Sequence, residues 1–147
     1  MSKYKLIQLT NNTIGAVAVD TALPLGKVTR RLNTPAPDNS TFTVATTGAN
    51  IVYLNEAGYY NVIYSISGIA GAAGIVGVTL TTNDNDVYEV TATTTEGGTF
   101  NLTLPFAIRV CPNVCGVPTN CPVGIQLQLS GVAITGGTGN LIVEKVQ

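Results

Sequence analysis

The stretch Gly58-Tyr59-Tyr60-Asn61-Val62-Ile63-Tyr64-Ser65-Ile66-Ser67 decides how this chain folds. It holds no proline and is rich in aromatic and β-branched side chains, which suit a pleated, half-buried strand. Strand side chains alternate between two faces, so Tyr60, Val62, Tyr64 and Ile66 share one face and Tyr59, Asn61, Ile63 and Ser65 the other. The first set is a core face. The second mixes apolar and polar groups, as on a surface partly covered by something else. Immediately upstream, Ile51-Val52-Tyr53-Leu54 followed by Asn55-Glu56-Ala57-Gly58 reads as a strand and a tight reversal.

Working outward, the same criteria predict strands at Thr13–Val19, Leu23–Thr29, Thr41–Ala45, Asn50–Leu54, Tyr59–Ser67, Ile75–Thr82, Val87–Thr94, Thr99–Val110, Gly124–Leu129 and Leu141–Val146. Turn signals separate them: Pro35-Ala36-Pro37-Asp38-Asn39, Thr47-Gly48, Asn83-Asp84-Asn85-Asp86, Glu96-Gly97-Gly98 and Gly136-Gly137-Thr138-Gly139. Glycines 68, 71, 74 and 77 recur at period three, but so few triplets, none with proline, cannot form a collagen helix and read as a hairpin tip. No window carries a helical stripe. Eight to ten short antiparallel strands at this spacing predict an all-β fold, a jelly-roll β-sandwich. Residues 1–33 read as a basic N-terminal arm or strand, and 34–147 as the jelly-roll domain.

Charge and hydropathy narrow the setting. Hydrophobic residues make up 45% of the 147 and charged residues 10%, against about 25% charged in an ordinary soluble domain. Strands apolar on both faces, such as Ile75-Val76-Gly77-Val78 and Phe106-Ala107-Ile108, call for cover on both sides of a sheet. No apolar run reaches the roughly 18 residues of a membrane span, and residues 1–9 lack a signal-peptide core, so the expectation is a soluble protein with no membrane partner. The net charge of −1 is uneven: Lys3, Lys5, Lys27, Arg30 and Arg31 against Asp20 give +4 over residues 1–31, while the remainder carries −5. That asymmetry reads either as a basic arm for an acidic partner or as an ordinary solvated strand. Five cations so spread form no nucleic-acid stripe.

The strand at Ile51–Leu54, then Ala57-Gly58-Tyr59-Tyr60, then an aromatic-alternating strand ending Tyr64-Ser65-Ile66, resembles the central signature of trimeric complement/tumour-necrosis-factor-like jelly rolls. The wider layout is similar to small capsid-decorating or head-fibre proteins of tailed phages infecting gut bacteria. It comprises Leu23-Pro24-Leu25-Gly26, the Gly-Tyr-Tyr strand, Arg109-Val110-Cys111 and a closing Leu141-Ile142-Val143-Glu144-Lys145. The jelly-roll likeness spans residues 40–147. Leu104-Pro105-Phe106-Ala107 stands where such domains often carry a Gly-Asp pair. The resemblance implies a homotrimer, with the strand Tyr60, Val62, Tyr64, Ile66 in its core or trimer contact. It implies a virion location, with Lys3, Lys5, Lys27, Arg30 and Arg31 docking the capsid surface through the major capsid protein. Removing residues 1–20 is then expected to leave a folded trimer that no longer joins capsids.

The search for chemistry is mostly negative. With no histidine, Ser-His-Asp and Cys-His arrangements are excluded and the commonest metal ligand is missing. The Gly-Gly pairs lack the strand-to-helix setting and Lys-Ser/Thr of a phosphate loop. Asp84 and Asp86 sit in a hairpin turn without the sixth-position glycine and closing glutamate of a calcium loop, and Glu56 and Glu89 have no partner the sequence can place. Cys111, Cys115 and Cys121, interleaved with Pro112, Pro118 and Pro122, are too few for a four-ligand zinc site. They stand as reduced thiols, one disulfide with a spare, or cross-protomer or metal links. No enzyme and no cofactor is expected. Two other readings compete with the virion protein: a trimeric lectin-like module binding host surface glycans at Tyr53, Tyr59 or Tyr88, and a bacterial spore-surface protein, which the missing collagen stalk disfavours.

Overall fold

The computed structural model describes residues 5–32, 41–45, 50–110 and 123–146. They form β1 (Lys5–Ile14), β2 (Lys27–Leu32), β3 (Phe42–Ala45), β4 (Ile51–Leu54), β5 (Gly58–Ala70), β6 (Gly74–Thr82), β7 (Asn85–Thr94), β8 (Thr99–Val110), β9 (Val123–Ser130) and β10 (Ile134–Lys145). Two antiparallel sheets of five strands result. The first has the order β2-β1-β10-β5-β8 and the second β3-β4-β9-β6-β7.

The core lies between the sheets and follows the alternation. Tyr60, Val62, Tyr64 and Ile66 of β5 point inward and are buried, beside Ile7 and Leu9 of β1, Leu141 and Val143 of β10, and Leu102 and Leu104 of β8. From the second sheet come Phe42, Val52, Leu54, Val76, Val78, Leu80, Ile125, Leu127 and Leu129. Phe42 meets Tyr60 edge-on at 6.0 Å between ring centroids, the geometry that an aromatic quadrupole favours. Seven predicted strands stand where expected within a few residues, β8 coinciding with its expected limits, and the last strand begins seven residues before its expected start.

The N-terminal segment departs from expectation. The first strand is Lys5–Ile14, not Thr13–Val19, and the second is Lys27–Leu32, not Leu23–Thr29. Alternation in Lys5-Leu6-Ile7-Gln8-Leu9-Thr10 sends Ile7 and Leu9 into the core, and β1 pairs with β10 from Lys5↔Lys145 to Ile14↔Gly137. It also pairs with β2, and so lies inside the sheet. The connection that follows crosses to the other sheet: Val17 bridges Ile134, and Asp20 and Leu23 donate backbone hydrogen bonds to Leu129 and Leu127 of β9. Leu23 and Leu25 are buried. Gly26 closes this crossing at φ 82°, with Thr10's carbonyl oxygen where a Cβ would stand, a place only glycine fills. Ile7, Leu9, Leu23 and Leu25 therefore belong to the same core as the later strands, and a deletion of residues 1–20 would remove an internal strand.

Gly136-Gly137-Thr138-Gly139 is the other correction, for it lies within β10 rather than in a turn. Its glycines mark close approach: a Cβ on Gly139 would stand 2.6 Å from the Tyr64 hydroxyl beneath it.

Candidate assembly surface

The outer face of the first sheet is divided in two by its register. At the end of the sheet where β8 and β10 finish, Pro105, Ile63, Ile142, Gln8 and Arg30 lie side by side across the strands. The neighbouring row is Ala107, Asn61, Glu144, Leu6 and Leu32. Ile63 is 36% exposed, Leu32 44% and Tyr59 50%, although all three are large apolar side chains in regular strands. A shallow groove of about 350 Å³ runs between Asn61, Ile63, Pro105, Ala107 and Glu144. The Arg109 guanidinium sits over the Tyr59 ring at 5.7 Å, a cation–π contact. Toward the opposite end, the same face is mostly uncharged and polar, with Thr10, Ser65, Thr103 and Asn140, then Ser67, Asn101 and Thr138, bordered by Lys27 beside Thr10 and by the exposed Ile69. Gln8 donates to Asn140 at 2.8 Å, and Ser67 donates to Asn101.

A second apolar patch lies on the rim. β7 and β8 are edge strands of the two sheets and run along the same side of the sandwich. Cover is incomplete where Tyr88 stacks on Phe106 at 5.5 Å and 23°: Phe106 is half-buried, and Tyr88 and Val87 are exposed. Pro105 removes a backbone donor from the β8 edge, which obstructs addition of another strand there.

The residues singled out in the sequence divide sharply. Tyr60, Val62, Tyr64 and Ile66 all line the inter-sheet core, so the surface available to another molecule belongs to Tyr59, Asn61, Ile63 and Ser65 on the alternate face. Lys3 lies outside the described residues, as do Cys111, Cys115 and Cys121. Lys5 is committed internally: its Nζ stands 2.9 Å from Glu56, which also accepts from the Thr41 hydroxyl at 2.8 Å. Burial works to raise the Glu56 pKa, but the hydrogen bonds from Lys5 and Thr41 and the charges of Lys5 and Lys145 outweigh it and hold the carboxyl below its ordinary value. Lys27 and Arg30 are exposed, and Arg31 is half-buried and engaged within the fold.

Glu89 accepts from Thr79 and Ser130 on the second sheet. Asp84 and Asp86 flank the β6–β7 hairpin, where Asn83 and Asp84 take positive φ of 49° and 70° as a tight two-residue turn requires. Among the described residues no group of three or more His, Cys, Asp or Glu converges on a point. No helix there is long and apolar enough to cross a membrane. Of the three tyrosines weighed as sugar platforms, Tyr53 lies over Gly124, Tyr88 is stacked on Phe106, and Tyr59 is open. Arg109 and Pro105 were not singled out as functional, although alternation in Thr99–Val110 already put both on one outward face.

Two five-stranded antiparallel sheets in this order form a jelly-roll β-sandwich, the fold shared by the solved structures it superposes on. The Eiger TNF from S. frugiperda superposes with a TM-score of 0.70 over 99% of this chain and 94% of that one, at 10% identity. The globular domain of zebrafish complement 1qA protein gives 0.67 over 99% and 98%, at 5% identity. PRD1 vertex protein P5 gives 0.62 over 97% of each chain, at 15% identity. No protein-family model matches the chain, and no curated protein sequence matches it.

Proposed function

We propose that this chain is a non-enzymatic structural protein of a phage virion: a homotrimeric head-fibre or decoration protein on the capsid surface. The observation that carries the trimer is the pair of unlike apolar patches, one on the outer face of the first sheet and one on the β7/β8 rim. Patches on different sides of the molecule that meet face to rim make a heterologous, head-to-tail contact, which closes into a ring when the rotation per copy closes. Burying about 1,000 Å² of such surface per protomer contributes about 25 kcal/mol before association costs. The virion assignment is supported by the likeness to the PRD1 vertex protein over nearly the whole of both chains. Among the described residues, Lys27 and Arg30, exposed on β2, are the cations of the predicted docking set open to the major capsid protein. Three copies of a weak site raise apparent affinity by ~10²–10⁴. Immunogold labelling of purified virions tests the location: label on capsids is expected, and label confined to unassembled protein overturns it.

The lectin-like reading retains one supporting observation, the open Tyr59 ring beside Arg109, Asn61 and Glu144. A glycan array separates the two: silence is expected of a decoration protein, and specific binding lost in Tyr59→Ala favours the lectin.

A further inference from the structure

We infer that the ring is closed by charge as well as by apolar contact, with the acidic β6–β7 turn of one copy, Asp84 and Asp86, seated against Arg109 of the next. This rests on the trimer reading above and adds the partner surfaces to it. Charges within the protomer are unequally used. Lys5 and Lys145 act on Glu56, and Glu89 accepts from Ser130 and Thr79. Asp84 and Asp86 make no ion pair among the described residues, and the contact of Arg109 is with an aromatic ring rather than a carboxylate.

Their places complement one another. The Tyr88–Phe106 stack levels the two edge strands. β7 and β8 run in opposite senses, so Asp86 and Arg109 lie toward the same end of the sandwich from that stack. Across the bulge at Val87, Asp86 is one ladder step from Tyr88 and Asn85 two, with Asp84 in the turn just beyond, while Arg109 is three residues from Phe106, so the turn and the cation differ in height by about one residue, ~3.4 Å. In a ring whose axis follows the strands, heights are preserved from copy to copy. The acidic turn beside one copy's rim therefore comes level with the cation that ends the next copy's groove.

The alternatives bring like charges together. A two-fold face-to-face pair would gather Lys27, Arg30 and Arg109 of both copies against Glu144 as the acid on that face. A rim-to-rim pair would bring the Asp84 and Asp86 carboxylates of two turns together. Such repulsion selects register and partner more than it adds raw affinity.

Light scattering over a dilution series, with circular dichroism to confirm folding, tests the pairing. Arg109→Glu alone and the Asp84→Lys/Asp86→Lys double variant alone are each expected to weaken the trimer about tenfold per contact. Combining all three substitutions restores association. The unmodified protein is expected to dissociate at a higher concentration in 1 M salt, where the screening length falls to about 3 Å, than in 0.05 M salt. Reversal variants that assemble like the parent, a combined variant no tighter than either set alone, or salt-indifferent association would each overturn the pairing while leaving the trimer intact. A parent protein monomeric at every concentration would overturn the trimer itself.

Discussion

Adjacent residues on β5 face opposite ways, and a carboxylate placed at each in turn separates folding from assembly. Tyr64 is 2% exposed and lies among core residues of both sheets. Replacing its ring removes packing worth about 3–5 kcal/mol, and the unpaired carboxylate in its place costs several more. Against a total stability of about 5–15 kcal/mol, Tyr64→Asp is expected to be unfolded. Ile63, one residue earlier, points outward between Pro105 and Ile142. In a lone protomer a carboxylate there stays hydrated, so Ile63→Asp should cost about 1 kcal/mol of stability. In the ring the same carboxylate is desolvated against apolar surface in every subunit contact, at about 2–3 kcal/mol each, or roughly 30- to 150-fold per contact in the dissociation constant. Thermal melts followed by circular dichroism, beside mass determination at matched concentration, read both effects. An Ile63→Asp protein that remains trimeric at the parent's concentrations would remove this face from the contact. Normal melting of Tyr64→Asp would mean that the strand's two faces have been assigned the wrong way round.

Other consequences follow from the same geometry. The Tyr64 hydroxyl is buried with no hydrogen-bond partner among the described residues, and burial pushes its pKa up, so Tyr64→Phe is expected to stabilise the fold by about 1 kcal/mol in denaturant titration; a loss of that size would show that the hydroxyl is bonded. Glu56, with its folded pKa below the unfolded 4.5, contributes stability that is fully present above that value and lost as pH falls through the folded pKa. Glu56→Gln should therefore flatten the acid limb of a stability–pH curve by under about 1 kcal/mol, the pair being partly exposed; an unchanged limb would contradict the assignment. Deleting residues 1–14 removes β1 from between β2 and β10, and the product is expected to lack a cooperative thermal transition, whereas a folded truncation would mean that β1 is peripheral.

Legibility followed burial contrast. β5 and β8 alternate cleanly between apolar and polar over most of their length; β8 was placed from the sequence at its limits, and β5 with its two faces correct. β1 was placed late by several residues because Lys5-Leu6-Ile7-Gln8-Leu9-Thr10 is short, flanked by lysines and followed by Asn11-Asn12, which suggest a turn before the strand has ended. β10 was truncated for the opposite reason. Gly139 stands where the Tyr64 hydroxyl leaves no room for a side chain and Gly137 where the Ser67 carbonyl does, facts about another strand that local composition cannot carry. The assembly surface was half visible. The mixed face of β5 was legible as a face that is not core, but the rim depends on Tyr88 meeting Phe106, residues eighteen apart in sequence, on two different sheets. The partner of Lys5 was equally hidden, since Glu56 reaches it only once β1 has entered the sheet.

Self-association through unlike surfaces is the claim on which the rest depends, and the absolute mass of the purified chain in dilute buffer tests it most directly. A value near three times 15.2 kDa is expected, falling toward a single protomer only on strong dilution or with Ile63→Asp. A stable 15.2 kDa species at every concentration would contradict it, because the exposed face and the open rim would then be content in water.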